Sequence, residues 1–385
     1  MTARVPPWRS AAVRSAAAQF LVLAVLVGGA AWMTDTARRA MQARGIASGF
    51  DFLLDRAGFA IGHAFFAFSP EETYLRAFVV GVANSLVVAA AALVAATVLG
   101  VAVGLARLSG NWLLARVAGL YVELFRNTPQ LVQIVFWYSL CTLLPPPRQA
   151  LDLFGLAFAS NRGVVVPWPE QAWVFGIALL LAVAGIVPAR LLHRRADRMR
   201  RAGRRLPGLA VLTAVVILGP ALAWWAAAGF PAGWSVPALR GFNFRGGLTL
   251  SPEFLALFLG LSFYIAAFVA EIVRAGILAV GRGQIEAAET VGLGRGDIYR
   301  KVVFPQAMRV IVPPLAAQYI SLVKNSSLGV AIGYPDLFSV TNTALTLSGN
   351  TIEAIAIMGA VYLTLALAIG AAANIVNRAV RIRER

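Results

Sequence analysis

Long apolar runs separated by short polar segments dominate the pattern of the chain. Eight of these runs reach or approach the length of about 18–20 residues with which a helix crosses a bilayer. The runs are residues 16–33, 78–106, 129–144, 172–192, 209–230, 254–275, 310–332 and 354–376. The alternating pattern typical of membrane β-barrel strands does not recur along them. The pattern therefore predicts an all-α polytopic membrane protein with about eight transmembrane helices.

The polar segment 276–308 interrupts the last third of the chain, between two apolar runs. Its first half, 284–291, consists mainly of good helix formers and ends at Gly292, a residue that tolerates the left-handed conformation of a sharp helix stop. Asp297 has the position expected of an N-cap for a second short helix, and Pro305 is expected to end that helix. This segment is predicted to form a helix–turn–helix outside the membrane.

Small and charged residues on the first of these two helices favour contact with another protein. Glu286, Ala287 and Ala288 give it the character of a short helix that docks into a groove. The simpler alternative is an ordinary polar loop. The run Glu286-Ala287-Ala288, followed by Gly292 and Pro305, resembles the cytoplasmic coupling loop of ABC-transporter permeases. In that family an Ile and a Leu precede the proline, and here Val and Phe hold those positions.

Three further stretches narrow the resemblance. Residues 123–133, read Glu-Leu-Phe-Arg-Asn-Thr-Pro-Gln-Leu-Val-Gln, are similar to a signature of polar amino-acid ABC permeases, and so is the run 264–328. Ser326 stands in that run where the family commonly has Thr. Residues 44–53, together with the extra length between the third and sixth spans, look like the general L-amino-acid branch of the family.

The resemblance implies a permease subunit of an ATP-driven importer for L-amino acids, of polar or broad specificity, with a type I permease core. It implies a homologous sister permease, a dimeric ATPase that holds ATP and magnesium, and a periplasmic binding protein as partners. The predicted domains are 1–72, with an N-terminal cytoplasmic segment, the first span and an external segment, and 73–385, the permease domain. Within the second, 145–252 is read as an insertion that carries the fourth and fifth spans, and 276–308 as the coupling loop.

Composition and charge support a membrane location. The chain is 59% hydrophobic and 13% charged, whereas soluble domains carry about 25% charged residues. A net charge of +17 would suggest nucleic acid in a soluble protein, but most of the 34 Lys and Arg residues fall in segments assigned to one side of the membrane. By the positive-inside rule this predicts a multi-pass membrane protein with both termini in the cytoplasm, and no nucleic-acid partner. The resemblance implies that this membrane is the bacterial inner membrane. Eight arginines in 190–205 are read as a topology anchor, with contact to membrane lipids or a partner as the alternative.

The motifs of ATP hydrolysis and of common catalytic centres are missing from the sequence. Neither of the two lysines, Lys301 and Lys324, lies in the Gly-Lys-Ser/Thr of a P-loop. One cysteine and two distant histidines make a metal site improbable, so no catalytic residue, metal or cofactor is expected in this chain. ATP hydrolysis is therefore expected in a separate chain. The alternative class is an ion-coupled secondary amino-acid transporter, which would need neither an ATPase nor a coupling loop.

Polar residues inside the apolar runs are the candidates for the substrate path, because such groups face protein or a wet cavity rather than lipid. For Asn84 and Ser85, in the second span, hydrogen bonding between helices is an equal alternative to contact with the substrate. Lys324 is interpreted either as a buried cation paired with Glu271 or with backbone carbonyls, which is favoured, or as a positive charge near the substrate carboxylate. The candidates are Asn84, Ser85, Glu271, Lys324, Asn325 and Ser326.

Overall fold

A computed structural model describes residues 11–43, 49–62, 65–201 and 207–380. Parts of the predicted external segment (44–48) and of the basic run (202–205) lie outside the described residues. The described chain is mainly helical, and its helices are numbered in order along the sequence. They are α1 Ala11–Ala43, α2 Tyr74–Ala106, α3 Trp112–Asn127, α4 Gln130–Thr142, α5 Ala172–Arg201, α6 Leu209–Ala227, α7 Pro252–Leu278, α8 Arg282–Thr290, α9 Arg295–Ile298, α10 Phe304–Asn325, α11 Leu337–Ser348 and α12 Thr351–Val380.

Of the helices in the described part of the chain, six are long and apolar enough to cross a membrane: α1, α2, α5, α6, α7 and α12. These helices confirm the predicted class, an all-α polytopic membrane protein. The predicted number of eight transmembrane helices is approximate. The predicted third span falls on α4, whose 13 residues extend only about 20 Å at 1.5 Å per residue. The predicted seventh span falls on α10, which contains Pro313, Pro314 and Lys324 and continues as a 3-10 helix over Ser326–Ile332.

Short strands occupy the segments before α5 and after α6. The apolar pattern of the sequence predicts loops in both segments. Antiparallel pairing gives a four-stranded sheet in the order β1-β2-β3-β8 and two separate pairs, β4 with β5 and β6 with β7. The strands are β1 Leu151–Leu153, β2 Ala157–Ser160, β3 Gly163–Val166, β4 Trp168–Pro169, β5 Trp234–Ser235, β6 Ala238–Arg240, β7 Asn243–Arg245 and β8 Leu248–Leu250.

The chain forms two compact units, one of residues 1–131 and 261–385 and the other of 132–260. The second unit contains the strands and a tightly packed pair of helices, α5 and α6. Trp224 Nε1 donates to Val174 O at 3.2 Å, and Thr213 Oγ1 lies 3.1 Å from His193 Nε2. Because the start of one helix thus meets the end of the other, α5 and α6 run antiparallel. The predicted insertion 145–252 lies within this unit.

Small residues let the backbones of α2 and α7 approach closely in the first unit. Positions four residues apart on α2, including Ala96, Gly100 and Gly104, are buried. A Cβ atom added at Gly100 would lie 2.5 Å from the side chain of Val269, and one added at Gly104 would lie 2.7 Å from Ala270 O. This small-residue spacing is the usual means by which membrane helices pack without bulky side chains.

An apolar cluster packs the segment before α2 against α2 and α11. Phe52 and Tyr74 pack edge to face, with ring centroids 5.6 Å apart, beside Phe78, Leu337 and Val340. The backbone N–H of Gly49 donates to Glu353 Oε1 at 2.9 Å, which ties the same segment to the first turn of α12. Residues 49–62, which are part of the predicted external segment, therefore pack on the rest of the first unit.

Candidate functional site

The predicted helix stop at Gly292 is confirmed. Gly292 has φ +78°, and α8 ends there in a Schellman motif. The N–H of Gly292 donates to Glu289 O at 2.9 Å, and that of Leu293 donates to Ala288 O at 3.2 Å. Leu293 and Ala288 also share one apolar cluster, which is the hydrophobic contact that usually accompanies this motif. The turn after α8 is thus fixed both by its backbone and by side-chain packing.

The predicted N-cap at Asp297 is wrong. Gly294 caps α9, and its carbonyl accepts from the N–H of Ile298 at 3.0 Å. Asp297 lies inside the helix, where its carboxylate pairs with Lys301 Nζ at 2.9 Å, one turn later. Ile298, the last residue of α9, is buried and packs in an apolar cluster with Ala288 and Val303.

The predicted helix end at Pro305 is also wrong. A π-helical turn over Tyr299–Val303 leads directly into α10, and Pro305 occupies one of its first positions. The N–H of Phe304 donates to Tyr299 O across the π-helical turn, and the helical backbone continues through Pro305. The loop and α10 are therefore continuous.

One face of the loop packs on the chain itself, and the other is exposed. The inward face joins α8, α9 and the start of α10 to the end of α7. Its buried members are Val280, Ala288, Ile298, Val303, Ala307 and Ile311. Ala288 is only 6% exposed, so the prediction that it is presented to a partner together with Ala287 is wrong. Its position one residue further round the helix turns it toward the cluster.

Small and acidic residues form the outward face of α8, and an apolar residue follows at its C-terminal end. We call this face the α8 surface; it consists of Glu286, Ala287, Glu289, Thr290 and Val291, all exposed. Val291 is 74% exposed although it is a large apolar residue. Two more exposed apolar side chains, Tyr299 and Phe304, follow along the chain. Such a surface has the chemistry of a docking face rather than of a reaction centre.

Asn84 and Ser85 face the interior of the first unit. Neither residue is more than 1% exposed. Asn84 Nδ2 donates to Pro335 O at 2.9 Å, its Oδ1 accepts from the N–H of Phe65 at 3.3 Å, and Ser85 Oγ accepts from the N–H of Leu337 at 3.0 Å. These bonds are those of a packing contact between α2 and the turn before α11. The substrate role of the pair stays a prediction.

The turn that these residues hold was not recognised in the sequence. Asp336 is fully buried and caps α11, because its Oδ1 accepts from the N–H of Ser339 at 2.9 Å. Tyr334 Oη donates to Asn84 O at 2.9 Å. The signal was present as Pro335-Asp336 before an apolar run, which is an N-cap pattern.

Glu271 is paired, but not with Lys324. It accepts from Arg107 at the end of α2 and from Arg274 one turn along α7, with 2.6 Å between Arg274 Nη2 and Glu271 Oε1. The favoured pairing of Lys324 with Glu271 is therefore wrong. Two nearby guanidinium groups already satisfy the carboxylate, and the side chain of Lys324 is exposed.

Asn325 joins the end of α10 to the start of α4. Its Nδ2 donates to Gln130 Oε1 at 2.6 Å, while Ser326 Oγ donates to Val323 O at 2.8 Å. Gln130 is a buried residue that was not singled out in the sequence, although it lies in the 123–133 signature. The six predicted path residues thus fall into separate sets of contacts, whereas the predicted coupling residues lie on one continuous loop.

Comparison with known proteins agrees with this geometry. Residues 202–382 match the family described as "Binding-protein-dependent transport system inner membrane component". The chain is 46% identical to a putative amino-acid ABC transporter permease protein, YhdX, of Escherichia coli, with 97% of this chain and 95% of that protein covered. It is 43% identical to the general L-amino acid transport system permease protein AapQ of Rhizobium johnstonii (97% and 93% covered). It is 33% identical to the glutamate/glutamine/aspartate/asparagine transport system permease protein BztB of Rhodobacter capsulatus (97% and 95% covered).

The fold, the loop and these relatives define a class, the inner-membrane components of binding-protein-dependent transport systems. Within that class the similarity extends over nearly the whole length of the chain. The chain belongs to the family of amino-acid ABC transporter permeases. It is a multi-pass permease subunit of an importer rather than an enzyme, and none of these relatives supports the ion-coupled alternative.

Proposed function

We propose that the α8 surface docks a separate ATPase subunit, and that this contact passes the energy of ATP hydrolysis to the translocation path. The observation that carries the proposal is the division of α8 into two faces, with Ala288 buried in the cluster and Ala287 exposed beside Glu286. A docking helix must be held firmly by its own subunit to transmit force. The Schellman turn at Gly292 and the apolar cluster meet that requirement.

The cargo and remaining partners follow from the family and the relatives. We infer that the chain imports polar L-amino acids, because one relative is named for general L-amino acids and another for glutamate, glutamine, aspartate and asparagine. The complete importer would contain a sister permease, an ATPase dimer using ATP and magnesium, and a periplasmic binding protein. Both termini would lie in the cytoplasm, on the side of the α8 surface.

Site-specific cross-linking tests the docking contact. Cys141 is the single cysteine, so a Cys141→Ser background allows one new thiol to be placed at will. Ala287→Cys, modified with a photoreactive maleimide in the assembled importer, should cross-link to the ATPase subunit. Ala288→Cys is the matched control, because its side chain is buried and should be modified poorly.

A second control separates contact from chance collision. Trp234→Cys lies outside the coupling loop, at a position that is 57% exposed, and should label without cross-linking to the ATPase. If the Ala287→Cys variant labels well but gives no ATPase adduct while the subunit still co-purifies, the docking assignment is wrong. Equal adducts from the Ala287→Cys and Trp234→Cys variants would contradict it as well.

A further inference from the structure

A cleft beside α3 combines arginine side chains with an apolar wall. It encloses about 440 Å³ and lies between α3, the end of α2 and the end of α7. Its polar wall is formed by Arg107, Arg116 and Arg274, with the carboxylate of Glu123 beside them. Its apolar wall includes Val117 and Leu120, which are 57% and 65% exposed. We call this space the α3 cleft.

A neighbouring cleft extends the basic surface. It encloses about 430 Å³ and shares Arg107 and Glu123 with the first, adding Arg126, Asn127 and Glu271. The guanidinium of Arg126 lies over the ring of Phe268, 5.2 Å from its centroid. Counting both clefts, four guanidinium groups face two carboxylates, so the combined surface carries excess positive charge.

The ion pairs in the cleft leave donors for an anion. Glu271 already engages Arg107 and Arg274, and these pairs hold both guanidinium groups in place. Each guanidinium carries five N–H donors, more than one shared carboxylate can accept. Arg116 and Arg126 are exposed and add donors at the mouth. Arginine donors grouped in this way match the oxygen atoms of a phosphate group.

The position of α3 decides which phosphate compound fits. The helix follows the end of α2 that the positive-inside rule assigns to the cytoplasm, and large apolar residues are exposed along it. They are Trp112, Leu113, Leu114, Val117, Leu120 and Leu124. A helix with exposed apolar side chains beside cationic ones lies in the headgroup region of a bilayer. A phospholipid would place its phosphate on the arginines and an acyl chain along Val117 and Leu120.

We propose that the α3 cleft is a binding site for an anionic phospholipid of the inner leaflet, held by its phosphate on Arg107, Arg116 and Arg274. The site is distinct from the α8 surface and does not depend on ATPase docking. A bound lipid would fix α3 against the end of α7 and so order the residues that precede α4.

Native mass spectrometry of the full-length chain in its assembled importer tests the site. The complex is titrated with dioleoylphosphatidylglycerol, and dioleoylphosphatidylcholine serves as the neutral lipid. The wild-type complex should prefer the anionic lipid. Arg116→Gln combined with Arg126→Gln should weaken its binding about twenty-five-fold, because each arginine near anionic lipid is worth about a factor of five. This double variant leaves the Glu271 ion pairs intact.

The matched control is Arg240→Gln, an exposed arginine on β6 outside both clefts and outside the basic run 190–205. Its binding of phosphatidylglycerol should stay within about twofold of the wild type. Two results would overturn the proposal. One is a wild-type complex without preference for the anionic lipid, as expected if a partner subunit fills the cleft. The other is equal loss of binding in the double variant and the control.

A third variant distinguishes a lipid from a free phosphate compound. Leu120→Gln removes part of the apolar wall and should weaken phosphatidylglycerol binding several-fold while inorganic phosphate fails to displace the lipid. If inorganic phosphate displaces it and Leu120→Gln has no effect, the cleft binds phosphate as such and the lipid assignment is wrong. Size-exclusion profiles matching those of the wild type show that each variant is assembled.

Discussion

Tyr334 and Asn84 are joined by a buried hydrogen bond, in which Tyr334 Oη donates to the backbone carbonyl oxygen of Asn84 at 2.9 Å. Asn84 also donates a hydrogen bond to the same turn, from its Nδ2 to Pro335 O at 2.9 Å. The two bonds close a ring between α2 and the turn before α11. From the sequence alone, a substrate contact and a packing contact are equal alternatives for Asn84, and these hydrogen bonds support packing.

Asn84→Ala should therefore lower stability rather than transport by each molecule. The change removes the side-chain donor to Pro335 O, and an unpaired buried polar group costs about 1–3 kcal/mol. We expect a lower thermal midpoint and less assembled importer, with import per complex unchanged. Asn342→Ala, at an exposed position on α11, is the control. Loss of import beyond the loss of protein would restore the substrate role.

Gly292→Val should uncouple the importer. A β-branched residue at φ +78° costs roughly 1–3 kcal/mol, and no neighbouring atom within 4 Å adds to that strain. We expect the spans to stay folded while stimulation of ATP hydrolysis by substrate is lost in proteoliposomes. Gly292→Asn should retain most of the stimulation, because asparagine tolerates the left-handed region. Normal stimulation in the valine variant would refute a coupling role for this turn.

Gly100→Ala and Gly359→Ala should change stability in opposite directions. The new methyl group at Gly100 would meet Val269 at 2.5 Å and Ala266 O at 2.8 Å, and such overpacking costs about 1–3 kcal/mol. Nothing lies within 4 Å of a Cβ at Gly359, within α12, so alanine should stabilise that helix by up to about 1 kcal/mol. Thermal unfolding of the two purified variants measures both. A Gly100→Ala protein as stable as the wild type would contradict the close packing of α2 on α7.

Lys324→Met should leave folding and assembly intact. The side chain is exposed and does not hold Glu271, so its loss should change the free energy of unfolding by no more than about 0.5 kcal/mol. If its charge attracts the substrate carboxylate, import of every tested amino acid falls, and Lys324→Arg restores it. Poor assembly of the methionine variant would revive the structural interpretation. Unchanged import in a stable complex would exclude both interpretations.

The orientation of the chain can be tested on two exposed residues of the second unit. In a Cys141→Ser background, Trp234→Cys should react in intact cells with an impermeant thiol reagent, whereas Arg198→Cys should react only after the membrane is opened. The expectation rests on the concentration of arginines in 190–205 and the positive-inside rule. Labelling of the Arg198→Cys variant from outside intact cells would overturn the proposed topology.

The features that the sequence predicted best are those set by local composition. The apolar run 78–106 became α2, and the run 254–275 became most of α7, because a long apolar segment in lipid must form a helix wherever it lies. The conformation of Gly292 was likewise predictable, since the stop after α8 depends on a glycine at one position.

The features that were missed depend on distant partners. Residues 287 and 288 are both alanine, so the residue type cannot show which of them is buried. The packing of α8 against the end of α7 and the start of α10 decides that Ala288 is the buried one. The strand β8 exists because it pairs with β3, more than eighty residues earlier along the chain. The pairing of Glu271 with Arg107 likewise joins residues 164 positions apart, which no spacing rule could indicate.

Because the coupling loop continues directly into α10, a movement of the loop is transmitted along that helix. The helical backbone passes from the turn at Tyr299–Val303 into α10 with no intervening loop, so a displacement of the coupling loop moves the start of α10 directly. With 22 residues, α10 extends about 33 Å from that turn to Asn325. Where α10 tilts as one body through Pro313 and Pro314, a tilt of about 5° at the loop displaces the far end by roughly 3 Å, about the length of the hydrogen bond between Asn325 and Gln130. A small rotation of the coupling loop is then large enough to open or close that bond at the other end of α10.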